Sequence, residues 1–233
     1  MGQLFDIVVA NEQHGIFAEI ICAEMEQSAK ARGTGIAQRS PDYIRQKLSE
    51  GKAVVATTSE GEWAGFCYIE TWSHGKYVAN SGLIVSPNHR KSGLAKEIKT
   101  KILELSRTLY PEAKIFGLTT GLAVMKINSD LGYEPVTYSE LTDDEAFWKG
   151  CQSCVNFEIL QSKERKNCLC TAMLFDPAEQ AAKEQKALEK IKNKINLVEL
   201  AQAEVYVAAP QLPKPTIKQS VEQLFSALFS VNV

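Results

Sequence analysis

The chain has 233 residues, enough for one domain of ordinary size or one domain with an appendage. Hydrophobic residues make up 45% and charged residues 23%, which excludes disorder throughout. Lys and Arg number 26 against 28 Asp and Glu, a net charge of −2, so there is no global basic field to hold nucleic acid. No apolar run approaches the ~18 residues of a membrane span, and the first residues lack a basic stretch followed by an apolar one. A cytoplasmic protein with neither a membrane nor a nucleic-acid partner is expected. In that compartment six cysteines point to thiols or metal ligands rather than disulfides.

In chain order, Phe5–Ala10 is apolar and β-prone. Asn11 then caps a predicted amphipathic helix over 12–31, with Ile16, Phe17, Ile20, Ile21 and Met25 on one face and Gly33 and Gly35 ending it. Ser40-Pro41 reads as an N-cap with proline at the first helical position, opening a short helix that stops near Gly51. Three β-rich runs follow, 53–58, 63–71 and 77–85, separated by turns at 59–61 and 73–75, which predicts an antiparallel meander. After a loop at 86–92 comes a helix over 93–109 with Ala95, Ile98, Ile102 and Leu105 buried. Then a strand at 114–119, a helix at 121–131 and a strand from 132 to about 141 are expected.

Residues 142–167 show no clear periodicity, and 168–175 reads as a strand. From 178 onward the composition turns to Ala, Glu, Lys and Gln, with Leu188, Ile191, Ile195 and Val198 in a short coiled-coil-like stripe. Residues 209–216 hold three prolines and read as a linker, and 217–229 as a second amphipathic helix. The expected division is a domain at 1–177 with an inserted segment at 142–167, and a helical appendage at 178–233. The appendage carries too many apolar side chains to leave in water, so it is expected to cover something: a homodimer made together with the domain is favoured, with another partner or packing back on the domain as the alternatives.

The most informative segment is the run from Gly82 to Ala95, where a strand leads through a loop into Arg90-x-x-Gly93-x-Ala95 at a helix start. The first turn of a helix has unpaired N–H groups and the positive end of the dipole, a ready site for a pyrophosphate. Gly93 lets the backbone approach, Ala95 adds little bulk, and Arg90 and Lys91 add positive charge.

With Val85-Ser86-Pro87 ahead of that loop and Leu131-Gly132-Tyr133 closing a later helix, the chain resembles the GNAT superfamily of acyl-CoA-dependent N-acyltransferases. The resemblance spans residues 5–141 and the strand 168–175. It implies an α/β fold (an α+β mixed sheet): a mostly antiparallel central sheet, splayed between its fourth and fifth strands and flanked by helices. It implies that pantetheine pairs with Leu83, Ile84 and Val85. It implies that the pyrophosphate lies on the amides of Arg90, Lys91, Ser92, Gly93, Leu94 and Ala95. Many members place a Tyr in the later helix as acid for the leaving thiolate; the matching position here is Asn128, which can donate a hydrogen bond but not a proton.

Direct attack on a thioester needs a neutral amine, so something must take its proton. Glu70 and Cys67 on the third strand, His74 in its turn, and a relayed water are the candidates, with Glu70 carried forward. A narrower resemblance joins Arg39-Ser40 and the strand end Leu118-Thr119-Thr120 to the acyltransferase domain of N-acetylglutamate synthases. It implies that Arg39 reads a substrate carboxylate, with Ser40 beside it and Thr119 and Thr120 near the acyl group; the fork of a guanidinium suits that task. The amino-acid kinase domain found in many such synthases does not fit within this chain. The function expected is acyl transfer from acetyl-CoA or succinyl-CoA to the amine of a small amino acid, glutamate first. A protein or peptide N-acyltransferase and a non-catalytic acyl-CoA sensor are the rivals.

Cys151, Cys154, Cys168 and Cys170 form C-x2-C-x13-C-x-C, a spacing compatible with a structural zinc. A strand over 168–175 would point Cys168 and Cys170 to one face. If 155–160 were its hairpin partner, the two pairs would lie at opposite ends and exclude a shared metal. A folded insertion would permit one. Buried free thiols and redox chemistry stay open beside zinc.

Overall fold

In the computed structural model residues 5–33 and 38–208 are described, with side chains as far as residue 194. The elements are β1 (Phe5–Val9), α1 (Ala18–Arg32), α2 (Pro41–Ser49), β2 (Ala53–Thr58), β3 (Trp63–Trp72), β4 (Tyr77–Val85) and α3 (Leu94–Leu109). They continue with β5 (Lys114–Thr119), α4 (Leu122–Asp130), β6 (Glu134–Val136), α5 (Glu145–Lys149), α6 (Phe157–Ser162), β7 (Thr171–Phe175) and α7 (Pro177–Ala208). The sheet order is β1-β2-β3-β4-β5-β7-β6, antiparallel throughout except for β4 beside β5. This is the mixed α/β sheet expected from the sequence.

Among the described residues, those up to 182 make one compact unit and those from 183 onward belong to a second. In the first, the two faces of the sheet are covered differently. Alternation along β3 sends Cys67 and Ile69 to one face, where they pack with Ile98, Ile102 and Leu103 of α3. Phe66 and Tyr68 go to the other face, against Ile21 and Met25 of α1 and Ile44 and Leu48 of α2. Further along that second face, Ala79, Phe116, Ala172 and Leu174 are covered by Tyr138, Trp148 and Leu160. The segment without periodicity is therefore a folded cap, made of α5, a 3-10 turn at Gly150–Ser153 and α6.

Three sequence expectations change. Residues 12–17 form a 3-10 turn before α1, which leaves Ile16 and Ile20 exposed rather than on the buried stripe. The tighter turn rotates the register, and a capping box between Asn11 and His14 fixes it. The strand expected to reach 141 ends at Val136, where Thr137 and Glu140 cap another 3-10 turn. The last strand begins at Thr171, so Cys168 and Cys170 precede it and the shared-face reading of the C-x-C pair does not hold. The Ala-rich segment starts a helix at Pro177. Of its stripe, Leu188 and Ile191 are exposed, whereas the Ile195 and Val198 side chains, the proline linker and the 217–229 helix lie outside the described residues. Gly35 and Ala37 lie outside them as well.

Candidate active site at the splay

β4 and β5 pair in parallel over Tyr77–Ala79 and Lys114–Phe116 alone. Beyond that, β4 follows β3 to Val85 and β5 follows β7 to Thr119, so a cleft opens between them. Its two edges, Ser81–Leu83 and Gly117–Thr119, are partly exposed although the residues just before Ser81 are buried. Phe66 pairs with Ile84 and Tyr68 with Ser81, so two steps on β3 are answered by three on β4. This bulge sits at Gly82, whose φ of +65 and close approach to the Tyr68 ring, 2.5 Å from where a Cβ would stand, both demand glycine.

β4 leads through a short turn at Pro87–His89 to the start of α3. Gly93 stands at φ +92, a conformation that side chains resist, and a Cβ there would face open space. The amides of Gly93, Leu94 and Ala95 belong to the helix end that lacks intrahelical partners, with Leu94 N–H reaching Ser92 Oγ at 3.4 Å. The loop thus forms a cradle of backbone donors that a side chain at residue 93 would fill, which fits a diphosphate. Arg90 departs from expectation. Its guanidinium donates to Glu24 and to Ser28 Oγ, both at 2.7 Å, and to Val85 O at 3.2 Å. It ties the loop to α1 instead of standing free for a phosphate. Leu83 is partly exposed at the cleft, while Ile84 and Val85 are buried beside β3.

Asn128 on α4 is 1% exposed, its Oδ1 has no partner and its Nδ2 reaches Met173 Sδ at 3.7 Å. A Cβ on Gly117 would lie 3.9 Å from that Nδ2 and from Asn80 O, so Asn128 borders the point where the strands part. An unpaired buried carbonyl costs about 1–3 kcal/mol. Thr119 Oγ1 accepts Gly121 N–H at 3.0 Å, and Thr120 is exposed.

On the face covered by α1 and α2, four side chains join. Arg39 donates to Tyr68 Oη at 3.0 Å and to Glu70 Oε1 at 3.1 Å, and Tyr43 Oη donates to the same Glu70 oxygen at 2.7 Å. The side chains of Arg39 and Glu70 are 17% and 8% exposed, so neither charge is held by water. Burial works against the guanidinium's charge, but Tyr68, Glu70 and Tyr43 outweigh it and hold Arg39 above its ordinary value. Burial and the Glu70 carboxylate push the Tyr43 hydroxyl up, so it stays a donor. Arg39 was expected at a substrate carboxylate; in this structure an internal carboxylate answers it. Tyr43 and Tyr68 were not singled out from the sequence, although Tyr68-x-Glu70 on a strand puts both side chains on one face. Ser40 Oγ accepts Tyr43 N–H at 3.2 Å and is spent on capping α2. The other two base candidates go elsewhere. Cys67 is buried on the opposite face, donating to Ser81 O at 3.3 Å. His74 stands at the paired end of the strands, lining a different cavity of about 440 Å3.

The capping segment borders the same cluster. Gln38 N–H donates to Ser153 Oγ at 3.3 Å, and a Cβ on Gly150 would sit 4.0 Å from Arg39 Nη2. Cys151, Cys154, Cys168 and Cys170 line one small cavity. Burial, then Cys154, pushes the Cys151 thiol up to about 11, and burial, then Cys168, pushes Cys170 up to about 12. Among the described residues no group of three or more His, Cys, Asp or Glu side chains is placed to hold a metal ion, and no helix is long and apolar enough to cross a membrane.

Comparison with known proteins agrees with this geometry. The acetyltransferase (GNAT) family matches residues 20–122, from α1 through the cleft to the start of α4. No curated protein matches in sequence. Among solved structures, N-acetylglutamate synthase of Neisseria gonorrhoeae, complexed with coenzyme A and N-acetyl-glutamate, aligns at TM-score 0.53 and 16% identity. The alignment covers 74% of this chain and 35% of that one, so the chain spans about a third of the synthase's length. A Mycobacterium tuberculosis protein in complex with CoA and NLQ aligns at TM-score 0.52 and 15% identity, covering 73% of this chain and 98% of that one. Diaminobutyrate acetyltransferase of Paenibacillus lautus aligns at 0.51 and 10% identity, over 76% and 96%. These identities speak to the fold. The splayed sheet and the glycine-opened helix lie within the matched stretch, so residues 20–122 are similar to a GNAT acetyltransferase domain.

Proposed function

We propose that the chain moves an acyl group from acyl-CoA to the α-amine of a small amino acid, with glutamate the first acceptor to test and acetyl-CoA or succinyl-CoA the donor. The observation that carries this reading is the buried Arg39–Glu70 pair with its two tyrosines, on the sheet face beside the cleft. An amino acid brings one carboxylate and one ammonium. It can exchange the internal pair for two intermolecular ones, carboxylate to Arg39 and ammonium to Glu70, so that neither buried charge is left bare. An amine without a carboxylate cannot do this. The gonococcal synthase, solved with an N-acetylated amino acid, supports the same substrate class.

Acyl-CoA supplies the activated thioester. For the donor side we assign the amides of Arg90 to Ala95 to the pyrophosphate and Leu83 to Val85 to pantetheine. Arg90 keeps its side chain on Glu24 and so holds the cradle in shape. Glu70 is the group we assign to receive the amine's proton, with Tyr43 and Arg39 fixing its carboxylate. Asn128 can hydrogen-bond at the sulfur end of the cleft but carries no titratable proton, so no general acid is assigned there. Thr119 and Thr120 stand at the cleft's far edge, near the acyl group.

The deciding experiment is a thiol-release assay with each donor against a panel of free amino acids. Turnover with glutamate or a near relative is expected, and acceptors with a blocked α-carboxylate should be poor. CoA binding without turnover on any amino acid would overturn the acceptor assignment and favour a peptide acceptor or a sensor.

A further inference from the structure

We propose that Cys151, Cys154, Cys168 and Cys170 bind one zinc ion as four thiolates, and that this ion fastens the 142–167 cap to the strand β7. The four residues come from two stretches, the 3-10 turn at Gly150–Ser153 with its C-cap and the loop just before Thr171, yet they border one cavity of about 30 Å3. That is room for a single ion or water. All four are free thiols. The rest of the lining is Leu118, Tyr138, Asn156, Phe157 and Leu160, which brings neither a carboxylate nor a histidine. Four soft sulfurs around a small, mostly apolar cavity match a structural zinc site better than any hard cation.

The local backbone supports the same reading. Cys154 N–H closes a turn on Cys151 O at 3.0 Å, and Asn156 N–H points at Cys154 Sγ at 3.4 Å. An amide aimed at a sulfur is the kind of outer partner that stabilises a bound thiolate. As placed in this structure the four thiols line the cavity without forming a group that could hold an ion. Zinc, with bonds to sulfur of ~2.3 Å, would draw them inward from the wall. Binding displaces four thiol protons to solvent and changes no oxidation state. A dithiol switch fits the site less well, because reactive thiols sit in electropositive surroundings and the lining here brings no Lys, Arg or His.

The ion would also act at a distance from itself. Ser153, between the first two cysteines, accepts the Gln38 N–H, and Gly150 lies against Arg39. Resting on the acceptor reading above, zinc removal should therefore raise KM for the amino acid several-fold while KM for acyl-CoA stays unchanged.

The test is metal analysis of the full chain, purified without chelator. One equivalent of zinc per chain is expected, lost in Cys151→Ser and Cys168→Ser and retained in Cys22→Ser and Cys67→Ser. Because the first two variants can fail to fold, the wild-type chain is also stripped and reloaded with cobalt(II). Thiolate-to-cobalt charge-transfer absorption and tetrahedral d–d bands are expected. A folded wild-type chain that holds no zinc and gives neither band overturns the site. So does a metal-free chain that hydrogen peroxide converts to disulfides within the cluster. The stoichiometry decides the zinc assignment even where no acceptor is turned over, so the two readings can fail separately.

Discussion

The loop at 86–95 and the cluster around Glu70 both prepare the domain for charged ligands, and they do it with opposite means. The loop uses backbone: helix-end amides, a glycine at φ +92, and one arginine spent on holding the loop to α1. The cluster uses side chains that answer one another, Arg39 with Glu70 and each with a tyrosine. A backbone cradle stands ready with its donors pointing outward. A self-satisfied ion pair must be opened by its ligand, and so it admits a ligand that replaces both partners. The first arrangement suits a group common to every CoA ester, the second a choice among acceptors.

The sharpest way to break this comparison is at Gly93. Gly93→Glu forces a side chain into a left-handed conformation, about 1–3 kcal/mol of strain, and sets a carboxylate against a diphosphate. CoA affinity by titration calorimetry should fall about 100-fold or more, where each ~1.4 kcal/mol is tenfold. An unchanged Kd would move the diphosphate away from this loop. Glu70→Gln keeps shape and hydrogen bonding but cannot take a proton. Its kcat should drop by about 100- to 1000-fold with CoA affinity intact, and a loss of less than a few-fold would remove Glu70 as proton acceptor.

Arg39→Ala tests the ligand-exchange idea itself. A hydrogen bond to a charged group is worth about 1.5–3 kcal/mol, so KM for the amino acid should rise roughly 10- to 100-fold while KM for acyl-CoA holds. The same variant leaves a buried carboxylate without its cation, and the thermal midpoint should fall. Parallel rises in both KM values would make Arg39 a prop of the fold and not a reader of the acceptor. Tyr43→Phe removes the 2.7 Å bond to Glu70 and nothing of the ring. About 1 kcal/mol is at stake, so kcat/KM for the acceptor should fall about fivefold.

The same contrast explains what could be read from sequence. The loop is contiguous, and its signals are local: a β-rich run, a proline, a glycine and a periodic helix. The cluster is drawn from residues 39, 43, 68 and 70, with residues 150 and 153 beside it, and no local rule brings the segment after α1 onto β3. Arg39 and Glu70 were each legible as candidates, but that they neutralise each other is a property of the packed sheet. Likewise 142–167 gave no period because its buried residues, Trp148 and Leu160, sit on separate short helices that cap the sheet. Ile16 and Ile20 misled in the other direction, since a helical spacing that begins in a 3-10 turn points them to solvent.

The smallest effect on catalysis is expected at Cys67, and it separates two residues three apart on one strand. Glu70 faces the α1–α2 side, whereas Cys67 is buried against the α3 side. Burial pushes its thiol from 9.0 up to about 11, the nearby Lys99 charge offsetting this in part. Below pH 9 the thiol is protonated in folded and unfolded chains alike, and it adds no pH dependence. Above 9 the unfolded chain gives up the proton while the folded chain keeps it. The unfolded state then binds fewer protons, and stability must fall as pH rises, until the folded thiol itself titrates near 11. Two pH units correspond to roughly 2–3 kcal/mol. Urea midpoints of the wild type and of Cys67→Ala at pH 8 and 10 should therefore converge at the higher pH, although the variant begins lower for lost packing. Its kcat/KM should stay within a few-fold of wild type at pH 8. A loss matching that of Glu70→Gln would shift the proton acceptor from the cleft face to the core face of β3, and the Glu70 cluster would then be a clamp for the acceptor without a part in the chemistry.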